Sequence, residues 1–100
     1  MIDQERKRRE FMRWVLLLAL NNARPIGAWE ELLVSTVQGV FPDATKQEVR
    51  RELDYLEERE LVHVKKSPDG RWFAESSRHG IDVAEYTVDV EPGIGRPARL

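Results

Sequence analysis

The stretch from Thr45 to Glu75 constrains the fold most. It opens with Thr45-Lys46-Gln47-Glu48, a capping box: the Thr45 hydroxyl can accept from the Glu48 backbone N–H, and the Glu48 side chain can reach back to that of Thr45. Val49, Leu53 and Leu56 then fall at the i, i+4, i+7 spacing of one buried face, so a helix is expected from Lys46 to about Arg59. Leu61 to Lys66 has strand character, Ser67-Pro68-Asp69-Gly70 has Pro and Gly where a tight turn wants them, and Arg71 to Glu75 is the returning strand. A capped helix that runs straight into a β-hairpin leaves few architectures for a chain of 100 residues, which is long enough for one domain with a modest core.

Upstream, Gln4 to Asn21 reads as a helix stopped by Asn22-Ala23-Arg24-Pro25-Ile26-Gly27. Phe11, Trp14, Val15 and Leu18 lie on one face, while Met12, Leu16, Leu17 and Leu20 carry the apolar surface most of the way round. Either the rest of the chain wraps such a helix or a second copy covers part of it; the expectation carried forward is a homodimer through residues 4–21. A second helix is expected from Ala28 to Val40, with Trp29, Leu32, Leu33, Thr36, Val37 and Val40 on its apolar stripe and Glu30 and Glu31 in the first turn, favourably placed on the helix dipole. Pro42 then breaks the chain before Thr45. Downstream, Ser77 can cap a short helix through Val83, Ala84 and Tyr86, against which Gly80 argues, and Thr87 to Val90 can form a brief strand. The reading is one domain over 1–90 and an extended arm over 91–100, where two prolines and two glycines exclude regular structure.

Composition narrows the function classes. The chain has no cysteine, so disulfides, thiolate metal sites and cysteine nucleophiles are excluded, which suits a reducing cytoplasm. The apolar run Trp14 to Leu20 is too short to span a bilayer and has no cleavage site after it, so a cytoplasmic protein without a membrane partner is expected. Sixteen basic against eighteen acidic residues leave a net charge of −2, which gives no overall attraction for nucleic acid. Local placement then decides the matter. Residues 61–78 hold Lys65, Lys66, Arg71 and Arg78 against Asp69 and Glu75, and the run Arg6-Lys7-Arg8-Arg9 with Arg13 is a second basic stretch, tempered by Asp3, Glu5 and Glu10.

The segment Ala44 to Val62 with the hairpin Val64 to Glu75 resembles the recognition helix and wing of bacterial winged helix-turn-helix regulators of the MarR, ArsR and PadR kinds. The resemblance rests on the spaced leucines and the Leu61-Val62 ending that leads into the wing. It spans roughly residues 10–80 as a pattern. Arg78 to Tyr86 and the tail Pro92-Gly93-Ile94-Gly95-Arg96-Pro97 are similar, more faintly, to small winged-helix proteins of Mu-like prophages. The resemblance implies an α+β winged helix-turn-helix of three helices, a two-stranded wing and a C-terminal arm, acting as a transcription regulator on duplex DNA. Those families commonly have glycine where this chain has Glu60, so either Glu60 bears about 1 kcal/mol of backbone strain or the helix ends differently.

A recognition helix reads base edges with its N-terminal residues. Here those are Lys46, Gln47, Arg50 and Arg51. Gln is suited to adenine and Arg to guanine, with Thr45 reaching a phosphate and Lys65, Lys66 and Arg71 supplying phosphate or minor-groove contacts from the wing. Against this, Arg50 and Arg51 alternate with Glu48, Glu52 and Asp54, which can neutralise them along an ordinary helix face, and the helix from Thr45 to Glu60 has six acidic residues against four basic. The competing expectation is a winged-helix protein–protein interaction module, of phage origin, without DNA binding. No enzyme is expected. His63, assigned to a strand, and His79, assigned to a loop, lie far apart without further ligands, so no metal site is expected; no phosphate loop or nucleophile motif appears, no cofactor is implied, and the paired carboxylates Glu30-Glu31 and Glu57-Glu58 read as helix surface. Trp14, Trp29 and Trp72 are taken as core residues.

Overall fold

The computed structural model of the protein describes residues 2–99. The order of elements is α1 (Ile2–Asn22), β1 (Ala28–Trp29), α2 (Glu30–Gln38), α3 (Lys46–Glu58), β2 (Val62–Lys66), β3 (Trp72–Ser76) and α4 (Arg78–Ala84). The result is an α+β domain of four helices and a three-stranded antiparallel sheet in the order β1-β3-β2. The expected three helices and two-stranded hairpin are present; the short helix that Ser77 could cap forms as α4, a fourth helix, and β1 is an addition. This arrangement is compatible with a winged helix.

Strand β1 corrects the expected second helix. Ala28 pairs with Ala74 and Trp29 with Phe73, so these two residues extend the hairpin sheet and the helix starts only at Glu30. Of the expected stripe, Leu33 and Val37 are buried, whereas Leu32, Thr36 and Val40 face solvent and Trp29 is 38% exposed. Gly27 permits the entry: its φ is +96°, and a Cβ there would press on the Ala74 carbonyl.

The core joins Met12, Leu16, Leu17 and Leu20 of α1 to Leu33 and Val37 of α2, Val49, Leu53 and Leu56 of α3, and Val62 and Ala74 of the sheet. Val83 of α4 and Ile94 of the tail close it on the far side. Most of the apolar circumference of α1 is therefore covered within one chain, with Phe11 left 37% exposed. The tail does not project. Gly95 donates its N–H to the Glu10 carbonyl (2.9 Å), Arg13 Nη1 donates to the Gly93 carbonyl (2.8 Å), and Ile94 is buried between them, so the tail packs against α1. Residues 87–90 form no strand.

Two corners carry left-handed backbone on ordinary side chains. At the end of α3, Glu60 has φ +61°; its N–H bonds the Glu57 carbonyl (2.9 Å) and the Leu61 N–H bonds that of Leu56 (2.9 Å). This is a Schellman closure with a carboxylate where glycine is usual, so the strained alternative expected for Glu60 is the one adopted. Ser77 braces it. Its Oγ donates to the Glu60 carbonyl (2.6 Å) while accepting from Gly80 N–H (3.0 Å), which is the expected cap of α4. Gly80 is required rather than disruptive, because a Cβ there would collide with the Leu61 carbonyl. The second corner, Tyr86 (φ +64°), closes α4 the same way through Tyr86 N–H to Val83 and Thr87 N–H to Asp82.

Candidate nucleic-acid interface

Helix α3 begins as its sequence requires: Thr45 is extended and its hydroxyl accepts from Glu48 N–H at 3.1 Å. The Thr45 oxygen is thus engaged in the cap. Glu48 has a further role that local sequence does not reveal, because its carboxylate receives Arg8 Nε (2.7 Å) and Nη2 (3.0 Å) from α1. Lys46 and Gln47, immediately inside the cap, are exposed and have no ion-pair or hydrogen-bond partner through their side chains among the described residues. Arg51 is exposed as well, with only a 3.6 Å approach to Glu52 Oε2.

Arg50 is not free. Its Nε and Nη2 donate to the two carboxylate oxygens of Glu30 at 2.6 and 2.7 Å, Nη2 also donates to the Gly70 carbonyl at the hairpin turn (2.7 Å), and the guanidinium lies over the Trp72 ring (4.7 Å). Glu30 is 1% exposed and also accepts the Trp72 backbone N–H (2.9 Å). The guanidinium of Arg50 and that N–H hold the Glu30 carboxyl below its ordinary range, against the opposing effect of burial. This clamp fastens the start of α2, the first half of α3 and the turn end of the hairpin to one another. Neutralisation of Arg50 by neighbours on its own helix, expected from sequence, is replaced by a partner 20 residues away, and this residue of the expected base-reading set also bonds the hairpin turn.

Arg71 is held similarly at the surface. Its Nε and Nη2 meet the Glu31 carboxylate (3.1 Å each), and its guanidinium lies over Trp29 (4.0 Å). The Glu31 carboxyl is lowered by this guanidinium. Asp69 shapes the turn by accepting Arg71 N–H (3.0 Å), and that bond lowers its carboxyl. The turn closes as expected, with Gly70 N–H on the Ser67 carbonyl and Ser67 N–H on that of Arg71. Lys65 and Lys66 are both exposed at the end of β2, and the Lys66 ammonium stands 4.4 Å from the Trp72 ring.

Of the eight expected residues, Lys46, Gln47, Arg51, Lys65 and Lys66 are exposed, Arg51 with a loose contact to Glu52 and Lys66 beside the Trp72 ring, whereas Thr45, Arg50 and Arg71 are engaged by internal partners. Glu30 and Glu31 are the residues that sequence reading missed. They appear locally as first-turn carboxylates, and nothing within four residues of either signals its arginine. The N-terminal basic run is likewise not a free arm: Arg8 pairs with Glu48 and Asp43, Arg13 with Glu52, and Arg6 with Asp3. Trp14 is core as expected; Trp72 is half-buried under Arg50 and Lys66. His63 lies in β2, and His79 lies in α4 rather than in a loop. Both border one cleft of about 480 Å³, though no group of three or more metal-ligating side chains occurs among the described residues. No described helix is long and apolar enough to cross a membrane.

No protein-family model matches the chain, and no curated protein matches it significantly. Among solved structures it is similar to a protein of Ralstonia eutropha JMP134 named a "putative DNA-binding protein", with a TM-score of 0.65, 21% identity, and coverage of 78% of this chain and 95% of the other. At that identity the two chains share a fold.

Proposed function

We propose that the protein is a winged-helix transcription regulator that binds duplex DNA through the N-terminal end of α3 and the β2–β3 wing. One observation carries the reading: Lys46 and Gln47 stand exposed at the head of a capped helix whose Arg50 ties it to the turn of a wing bearing exposed Lys65 and Lys66. A helix presented by its N-terminal residues beside a basic hairpin is the geometry that reads a major groove while the wing meets the backbone. The name of the protein with the shared fold agrees with this. Gln47 is the residue suited to an adenine edge, Arg51 to guanine, and Lys46, Lys65 and Lys66 to phosphates. The reading is of a binding protein and not an enzyme.

The net charge of −2 favours the second reading, a protein–protein interaction module on the same scaffold. Fluorescence-anisotropy titration against mixed-sequence duplex at low and near-physiological salt separates the two. Each neutralised phosphate adds about −0.9 to the slope of log affinity against log salt, so Lys46→Ala should flatten the slope by about one unit. Arg50 is unsuitable as the probe because its loss would loosen the wing. A folded protein with no low-salt affinity for duplex would overturn the regulator reading.

A further inference from the structure

The sheet has a second face, turned away from α3, whose aromatic side chains take no part in the proposed duplex contacts. Register places Trp29, Phe73 and Lys65 in one row across β1, β3 and β2, because Trp29 pairs with Phe73 and Phe73 with Lys65. Side chains alternate along each strand, so this row faces opposite to Trp72 and Lys66, which look toward α3. The Trp29 and Phe73 rings meet edge to face at 5.1 Å, and Trp29 remains 38% exposed. With Lys65, Lys66 and Ser67 they line a shallow groove of about 290 Å³. Its walls are apolar, and its charged lining residues are both cationic.

We infer that this groove is a stacking site for an unpaired nucleobase, with Lys65 taking the adjoining phosphate. Three features point to a nucleic-acid strand rather than an aliphatic peptide. The apolar surface is aromatic, the Arg71 guanidinium already lying over Trp29 (4.0 Å), and aromatic rings offer flat π-faces on which any base can stack. The charge at the rim is cationic, complementary to a phosphodiester. The groove also adjoins the proposed duplex surface at Lys66, whose ammonium lies on the α3 side of the sheet while its residue lines the groove. A single-stranded extension leaving a duplex at the wing would therefore pass from one face to the other over the end of β2. The inference rests on the duplex-binding reading and extends it to junctions between paired and unpaired DNA.

The test is anisotropy titration of the intact protein with a blunt duplex, the same duplex carrying a short oligo-dT overhang, and oligo-dT alone, repeated with Phe73→Leu and Trp29→Leu. Stacking of one base corresponds to roughly 5- to 150-fold in affinity, so the overhang should tighten binding at least about fivefold. Each variant should remove that gain and leave blunt-duplex affinity unchanged. Equal affinity of wild-type protein for blunt and tailed duplex overturns the inference while the duplex reading stands. Binding to oligo-dT that depends on Phe73, without blunt-duplex binding, supports the groove and overturns the duplex reading. Binding to none of the three DNAs overturns both. If a Glu-rich peptide carrying one Trp binds in a Phe73-dependent way and the overhang gives no gain, the groove takes an acidic protein segment and the inference falls. The wild-type comparison needs no variant, so it decides the matter even if one of them fails to fold.

Discussion

Replacing Glu30 by Gln tests the clamp that positions the β2–β3 hairpin. The carboxylate, 1% exposed, accepts two hydrogen bonds from Arg50 and one from Trp72 N–H. Glutamine with its carbonyl in place of Oε2 can keep the Trp72 N–H and the Arg50 Nη2 bonds, but it then turns an amide NH₂ toward Arg50 Nε, loses that bond and leaves the guanidinium without its counter-charge. Hydrogen bonds to charged groups are worth about 1.5–3 kcal/mol each. Part of that loss is offset, since burying a carboxylate itself costs several kcal/mol and Gln avoids it. A net destabilisation of about 2 kcal/mol is expected, which for a domain of this size corresponds to a fall in Tm of about 8–16 °C. The pH dependence gives a second readout. The folded-state pKa of Glu30 lies below its unfolded value of about 4.3, so its contribution is complete above that value and is lost as pH falls through the folded pKa. Glu30→Gln has no such titration, so the Tm gap should be widest near neutrality and narrow in acid. Thermal melts followed by circular dichroism between pH 7 and pH 3 measure both effects. A gap under about 2 °C at pH 7, or one that widens on acidification, would refute the assignment of the clamp.

Other consequences are equally direct. Glu60→Gly should raise Tm by about 4 °C, because glycine relieves roughly 1 kcal/mol or more of left-handed strain while losing some entropy on folding; a lower Tm would mean that the Glu60 side chain contributes more than its backbone costs. Gly80→Ala should destabilise by about 1–3 kcal/mol in urea titration, since the new methyl meets the Leu61 carbonyl and α4 must shift; a neutral effect would show that α4 packs loosely. Ile94→Ala should cost about 2–3 kcal/mol, toward the lower end for buried isoleucine because its site lies near the surface, and hydrogen exchange at Gly95 N–H should accelerate; unchanged exchange would show that the tail is held without Ile94.

Most of the secondary structure was legible because the signals are local. The Thr45 cap lies three residues from the N–H it satisfies, the Val49, Leu53 and Leu56 stripe repeats within two turns, and Pro68-Asp69-Gly70 specifies its own turn. The error at Ala28–Trp29 has the same root. A two-residue strand has no periodicity of its own, and its pairing with Phe73 and Ala74 is more than 40 residues distant, so a helical stripe absorbed it. Gly80 misled for a related reason: propensity counts glycine against a helix, whereas here the approach of the Leu61 backbone requires it.

The site shows the division most clearly. Which residues could meet a phosphate or a base is legible along the chain, because residue type and position on a helix or hairpin are local properties: Lys46, Gln47, Arg51, Lys65 and Lys66 are where helical and strand spacing put them. Tertiary structure alone decided which cations remain available. Arg50 meets Glu30 across 20 residues and Arg71 meets Glu31 across 40, and Arg8 is drawn to Glu48 over the same distance. Charge attraction reaches a few ångströms in space and carries no record of separation along the chain, so the partner of an arginine is settled only when packing brings distant elements together.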